Sequence, residues 1–345
     1  MNVHQVLSGA GPYDAVTTQA LAFRDLFWAW GWGGRDFAAD IDPRIGDRIA
    51  PLRSLHAGTI AADDVLLVHY SAYAPKLRAV LEMPQRKLLI SHNITPARWF
   101  WDHDPQAGVV CALGRKQLPE FAAAADVAAG VSLYNAREFG SDVVIPILFD
   151  PDALGRPAEQ DPSDPPTILF VGRLAPHKRQ DAVIGAFELY RRRHARNARL
   201  VLVGAPINWG YDAAMRELAE ELSPGNVTIE SGLTREQLAE RWRSAHAFLC
   251  MSEHEGFCIP LLEAFHFGVP VIARAVGGVP EVAGDAALLL SDADDESVAA
   301  ELLAFAVGNR KLRATLRERG AARVAAYAPE QTARTLRDVL ESLAE

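Results

Sequence analysis

The sequence predicts an α/β protein made of two doubly wound parallel-sheet domains facing one another across a cleft. Three observations lead there. Short, continuous apolar runs recur along the chain and alternate with segments of helical length, the pattern of strands buried on both faces. The 345 residues suit two domains at roughly 100–200 residues each. A stretch poor in large apolar groups and rich in Pro and Asp, PDALGRPAEQDPSDPP over 151–166, separates two such halves.

The elements follow in order. The first half opens with a strand over 3–8, a glycine turn at Gly9-Ala10-Gly11-Pro12 and a helix from about Tyr13 to Trp30. Apolar runs at 65–69, 87–91, 127–131 and 143–147 read as further strands. Beyond the linker the alternation is cleaner. Strands at 167–171, 199–203, 227–230 and 247–251 each lead into a helix, at 180–193, 212–222, 235–244 and from Pro260. A strand at 270–275 follows, and after Ser291 the chain is mostly helical, ending in a helix over 329–343. The expected organisation is therefore a first domain over 1–150, the linker 151–166, a second domain over 167–326, and a terminal segment 327–345. In such sheets ligands bind outside the carboxyl ends of the strands.

Composition narrows the function. Apolar residues make up 49% and charged residues 23%, which excludes a disordered, collagenous or coiled-coil chain. The formal charge is -9, and neither half is basic, so no global field draws the chain to nucleic acid. Three cysteines, Cys111, Cys250 and Cys258, show no C-x-x-C spacing and offer neither a zinc site nor a disulfide framework. No basic leader segment and no long apolar run is visible, so the expected location is cytoplasmic, with peripheral contact at the inner face of the cell membrane left open.

Four stretches carry chemistry. In Ser252-Glu253-His254-Glu255-Gly256-Phe257-Cys258-Ile259-Pro260-Leu261-Leu262-Glu263-Ala264 an apolar strand runs into a helix with proline in its first turn. The amides of such a helix start suit an anion, and Gly256 admits close backbone approach. Carboxylates suit sugar hydroxyls rather than phosphate, so Glu255 and Glu263 read as acids flanking a phosphate group; the plainer reading is two solvated charges. In Phe170-Val171-Gly172-Arg173-Leu174-Ala175-Pro176-His177-Lys178 a strand ends at Gly172, and Arg173 and Lys178 follow at a helix mouth. A guanidinium fork plus an ammonium can hold a diphosphate; the plainer reading is two surface cations. Gly277-Gly278 marks a tight turn or a close backbone approach. The turn at Gly9 and Gly11 lacks the third glycine of a dinucleotide fingerprint, since position 14 is Asp14.

These residues resemble the retaining glycosyltransferases of the GT-B fold, family 4, also called glycosyl transferases group 1. That family's donor half carries V-G-R with a nearby Lys, then E-G-F-x-x-P-x-x-E-A-x-x-x-G-x-P-V-I and G-G-x-P-E. Here the matches are Val171-Gly172-Arg173 with Lys178, Glu255-Gly256-Phe257, Pro260, Glu263-Ala264, Gly268-Val269-Pro270-Val271-Ile272 and Gly277-Gly278-Val279-Pro280-Glu281. Cys258 departs from the family, which usually has glycine there.

The resemblance implies that Arg173 and Lys178 hold the donor diphosphate and Glu255 the donor sugar. Backbone contacts would come from Gly172, Gly256, Phe257 and Cys258. Glu263 would hold the ribose, and the amides of Leu261 and Leu262 would reach the distal phosphate. In the first half, Gly9 and Gly11 would lie near donor and acceptor. His92, in Ile90-Ser91-His92-Asn93, resembles a histidine placed beside the donor sugar. The aromatic run Trp99-Phe100-Trp101-Asp102-His103 offers Trp99, Trp101 and His103 as acceptor contacts, whereas Trp28-Ala29-Trp30-Gly31-Trp32 reads as packing and Arg191-Arg192-Arg193 as a solvated helix end. No D-x-D pair stands out after a strand, and His254 between two glutamates is the one weak metal candidate. The expectation is therefore a metal-independent, cofactor-free, retaining transfer of a hexose from a UDP-, GDP- or other nucleotide sugar to a hydroxyl of a saccharide or lipid-linked acceptor. Cell-surface polysaccharide, glycolipid or glycosylated-metabolite synthesis would be its setting. A sugar-nucleotide epimerase or hydrolase, or a non-catalytic nucleotide-sugar-binding subunit, is the alternative. The terminal helix is expected to cross back to the first domain, as in the family.

Overall fold

A computed structural model describes residues 1–12, 14–56, 58–157 and 165–345. It divides into two units, one of residues 1–98, 106–148 and 328–345, the other of 99–105 and 149–327. Of the linker expected over 151–166, residues 158–164 lie outside the described residues, as does Tyr13.

The first unit contains six parallel strands: β1 (Val3–Ala10), β2 (Asp36–Ile41), β3 (Ala50–Pro51), β4 (Val65–Tyr70), β5 (Arg86–Ser91) and β6 (Val127–Gly130). Their order is β3-β2-β1-β4-β5-β6. All six residues of β4 are buried, as a central strand covered on both faces requires. The helix Ala15–Ala29 starts at Asp14, whose carboxylate accepts from the Thr17 amide at 2.7 Å. The terminal helix Pro329–Ala344 buries Thr332, Ala333, Leu336, Leu340 and Leu343, a stripe at helical spacing that packs within this unit. Arg337 on that helix lies over Trp30 and Trp32, 5.7 and 5.8 Å from their ring centres, so these two pack as expected, whereas Trp28 of the same strip is exposed.

The second unit repeats the plan with β7 (Thr167–Val171), β8 (Arg199–Val203), β9 (Val227–Glu230), β10 (Ala247–Cys250), β11 (Val271–Arg274) and β12 (Ala287–Leu290). Their order is β12-β11-β10-β7-β8-β9, again all parallel. Ile168, Phe170, Leu200, Leu202 and Leu249 form the core with Val183, Ile184 and Phe187 of the helix Gln180–Arg193. Arg191 and Arg192 at the end of that helix pair with Glu188 of the previous turn. Each sheet has the strand order 3-2-1-4-5-6 counted from its own first strand, the doubly wound plan whose winding reverses between strands one and four. This is the GT-B fold.

Four elements depart from the sequence expectation, one of them the two-residue β3, too short to show as an apolar run. The run at 143–147 is no strand: Val144 makes an isolated bridge to Gly130, and Pro146 offers no donor to extend it. Its apolar character reflects the fully buried Ile145. β2 went unread because it begins at Asp36, a charge buried here by Arg24 Nη2 at 2.6 Å and Gln5 Nε2 at 2.9 Å. β12 is four residues long and directly follows a short helix, Val279–Ala283.

Candidate functional site

The winding of the second sheet reverses between β7 and β10, which lie side by side. The loops leaving their carboxyl ends therefore define a crevice. Gly172, Arg173 and Lys178 leave β7, and Ser252 to Cys258 leave β10. Lys178 Nζ sits 2.7 Å from each oxygen of Glu255, which is 5% exposed. Burial opposes the lysine charge, but the adjoining Glu255 carboxylate outweighs it and holds the ammonium above its ordinary range. Arg173 is exposed, and its guanidinium has no partner among the described residues.

Residues that sequence reasoning missed brace the β7 loop. Gln180 donates from Nε2 to the Arg173 carbonyl at 3.1 Å. Its Oε1 accepts from the Ala175 amide and the Tyr211 hydroxyl. Arg179 pairs with both Asp181 and Glu253, tying the β7 loop to the β10 loop. No motif flagged these groups; the only signal was their place at the mouth of a helix.

The helix after β10 runs Ile259–His266, with Pro260 in its first turn. Its cap, Cys258, has φ 71°, in the left-handed region. That conformation explains why the resembling family favours glycine here, since a side chain raises its energy by about 1–2 kcal/mol. Leu261 and Leu262 are fully buried, and the Leu261 amide donates to the Cys258 carbonyl at 3.1 Å. Phe257 is buried with its ring edge-on to Tyr327 at 5.4 Å. Gly256 is buried beside it. The Gly277-Gly278 turn closes on this loop: Gly278 N–H donates to the Glu255 carbonyl at 3.0 Å. Gly277 has φ +55°, and a Cβ there would sit 1.9 Å from that carbonyl oxygen.

Glu263 lies one turn into the helix. Its Oε2 is buried with no hydrogen-bond partner. Burial pushes its carboxyl from 4.5 up to about 7, and the nearby Trp242 indole offsets only part of that. A buried acid with an unused acceptor is suited to a ligand that brings hydroxyl donors.

In the first unit Gly9 lies within β1, opposite Asp40, so the expected glycine loop begins only at Gly11. The Gly11 amide already donates to Thr17 Oγ1 at 3.1 Å. His92 directly follows β5 and is the outer member of a relay. Gln5 Nε2 faces two acceptors, the Ala20 carbonyl and Asp36, so its Oε1 must accept from His69 Nε2 at 2.9 Å. Neutral His69 is then left with Nδ1 as an acceptor, 2.9 Å from His92 Nε2. His92 therefore carries its proton on Nε2, and its Nδ1 is the unprotonated nitrogen. Burial pushes His92 down to about 4, and burial with the neighbouring His92 lowers His69 as well.

The aromatic run expected among acceptor contacts of the first domain belongs to the second unit. Phe100 packs against His177 at 5.7 Å, and His103 stands edge-on to Tyr211 at 5.3 Å while its carbonyl accepts from Asn208 Nδ2 at 2.8 Å. Trp99 ends the single 3-10 turn Ala97–Trp99, and Trp101 is exposed. The short D-x-D spacings Asp40–Asp42, straddling the end of β2, and Asp292–Asp294, after β12, were missed with those strands. Asp40 pairs with Lys76, Asp42 with Arg44, and Asp294 closes its own turn on Ser291. The cysteines also differ from expectation. Cys250 and Cys258, eight positions apart, are brought together with Glu255 by the turn at Cys258, each ligand atom within 4.8 Å of the others. His254 is buried but is not part of that group. Among the described residues no helix is long and apolar enough to cross a membrane.

Comparison with known proteins bears on this site. Residues 154–323 match the family model of glycosyl transferases group 1. The chain is 34% identical over 164 residues to the D-inositol 3-phosphate glycosyltransferase of Mycobacteroides abscessus, covering 45% of this chain and 36% of that protein. It is 29% identical over 304 residues to the alpha-maltose-1-phosphate synthase of Mycobacterium tuberculosis, covering 79% and 77%. The chain thus spans about two fifths of the length of the first curated relatives it matches. Among solved structures it resembles the sucrose-phosphate synthase of Thermosynechococcus elongatus, with a TM-score of 0.76 at 19% identity over 99% of this chain and 98% of that one. It also resembles Anabaena HepE, solved with UDP and glucose, with a TM-score of 0.74 at 14% identity over 99% and 100%.

Proposed function

We propose, from the match of residues 154–323 to the glycosyl transferases group 1 family, that this chain moves a hexose from a nucleotide-diphosphate sugar to a hydroxyl acceptor with retained configuration. The observation that carries this reading is the buried Lys178–Glu255 pair at the reversal point of the second sheet, with Arg173 on the same β7 loop unpaired among the described residues. A diphosphate entering there finds two cations, Lys178 and Arg173. As Lys178 turns toward the phosphates, its hold on Glu255 loosens, and that carboxylate becomes an acceptor for sugar hydroxyls. Charge grows on the leaving diphosphate as the anomeric bond breaks, and groups already in place around it stabilise that charge without reorganising.

The front-face route fits the residues. Glu255 serves the sugar hydroxyls in this reading, and no other carboxylate is assigned as a nucleophile on the sugar. The leaving phosphate takes the acceptor proton. His92, held neutral with a pKa of about 4, is too weak a base for that step and instead presents Nδ1 to position the reacting groups. Glu263 takes the ribose hydroxyls. No metal or cofactor takes part in this reading. The HepE complex makes a uridine nucleotide the first donor to try, and a saccharide or lipid-linked alcohol at the inner membrane face the first acceptor.

The test combines binding and turnover. A thermal-shift screen of UDP- and GDP-hexoses should single out one donor, since a ligand of the folded state raises its melting point. With that donor, Lys178→Ala and Glu255→Ala should each lower turnover by about a hundredfold or more while melting as folded proteins, and EDTA should leave native turnover unchanged. Near-native turnover in Glu255→Ala, or donor label recovered only as free sugar, refutes the reading.

A further inference from the structure

We propose that Cys250, Cys258 and Glu255 form a binding site for a thiophilic divalent cation, zinc foremost, held by two thiolates and one carboxylate with a fourth position open.

The geometry is nearly assembled. Cys250 Sγ lies 3.9 Å from Glu255 Oε1, and all three ligand atoms fall within 4.8 Å of one another. In a tetrahedral site with Zn–S of about 2.3 Å and Zn–O of about 2.0–2.2 Å, ligand atoms stand roughly 3.5–3.8 Å apart. The cluster therefore needs to contract by about 1.3 Å at most. All three groups are buried, Cys250 at 2% exposure and Cys258 at 8%. Ser252 Oγ, 3.2 Å from Cys250 Sγ, is placed to orient that sulfur from the second layer.

Charge selects the occupant. Two thiolates and a carboxylate carry three negative charges, and Lys178, bonded to Glu255, carries one positive. A dication brings the buried group to neutrality, whereas without it the two thiols stay protonated and the Lys178–Glu255 pair balances alone. Loading therefore releases two protons. Sulfur ligands favour zinc or cadmium over magnesium, calcium or manganese. The backbone supplies an independent hint: Cys258 keeps a side chain in a left-handed conformation that glycine would occupy without strain.

One consequence rests on the function proposed above. Zinc would occupy the acid assigned to the donor sugar, so metal and donor would compete, and zinc would act as an inhibitor of the transfer rather than as its cofactor. The binding itself does not depend on that reading.

The experiment uses the full chain, reduced with a phosphine and stripped of metal, titrated with cadmium, whose thiolate charge-transfer band reports sulfur ligation. The expected result is one equivalent bound, about two protons released, and displacement by zinc but not by magnesium. Cys111→Ser should keep the band; Cys250→Ala should halve it and weaken binding by more than tenfold, with circular dichroism reporting the fold and Cys250→Ser replacing it should the alanine variant not fold. Absence of a band at stoichiometric cadmium, or a band undiminished in a folded Cys250 variant, overturns the site. Donor affinity measured with and without zinc separates the two claims: an unchanged affinity with the band present upholds the site and removes the sugar-binding role of Glu255.

Discussion

Replacing Glu263 with glutamine tests whether its carboxyl is as strongly perturbed as its surroundings imply. Oε2 is buried and unpartnered, and burial raises the group from 4.5 to about 7. The sign follows from proton counting. Between pH 4.5 and 7 the unfolded chain has lost this proton while the folded chain still holds it, so stability falls as pH rises through that window and levels off above it. With each unit of pKa worth about 1.36 kcal/mol, the loss is about 1 kcal/mol at pH 5 and about 3 kcal/mol at pH 8. Glutamine has the same shape and no charge, so Glu263→Gln should gain stability over the native chain by about 2.5 kcal/mol more at pH 8 than at pH 5. Urea denaturation of both proteins at the two pH values, following the transition of the second unit, reads this difference. A difference that stays flat with pH would show that the acid is already solvated or paired. A second readout joins the group to the proposed ribose contact. Hydroxyl donors favour the charged carboxylate, so nucleotide binding should release a proton near pH 7, and the Gln variant should bind without releasing it.

Two further predictions concern the scaffold. Gly277→Ala forces a Cβ to within 1.9 Å of the Glu255 carbonyl at a positive φ, so it should destabilise by about 1–3 kcal/mol and weaken donor binding; a native melting point with native affinity would show that the turn yields freely. In nitrogen-15 spectra of the histidine rings, His92 should carry its proton on Nε2 and remain uncharged down to about pH 5, since burial holds it at about 4. His69→Phe, which removes the Nδ1 acceptor, should release that tautomer. A native His92 ring that titrates near 6.5, or that is protonated on Nδ1, contradicts the relay.

How much of this was legible in the sequence depends on which physical signal each part left there. Buried parallel strands announce themselves as unbroken apolar runs, so β7 to β11 were readable, and the bounds of β7, β8 and β9 and of the helices Gln180–Arg193 and Arg235–Ser244 were read to the residue. β2 was not, because its first residue is an aspartate whose burial is balanced by Arg24 and Gln5, a compensation that exists only after folding. The site divides along the same line. Arg173, Lys178 and Glu255 were singled out because they match the motifs of the resembling family, and the fold places the last two in contact. Gln180 and Arg179, which brace the β7 loop, match no such motif. Their bonds reach a carbonyl, a tyrosine and the opposite loop, partners no local pattern predicts.

The cysteines make the point most sharply. The odd count and the missing C-x-x-C spacing read against a metal site, yet the fold, with a left-handed residue at Cys258, sets both sulfurs beside Glu255. The same left-handed residue that caps the helix Ile259–His266 carries one of the two sulfurs. Any substitution at Cys258 therefore acts on both at once, and only a variant at Cys250, which lies on β10 behind the proposed donor contacts, can separate metal binding from sugar binding.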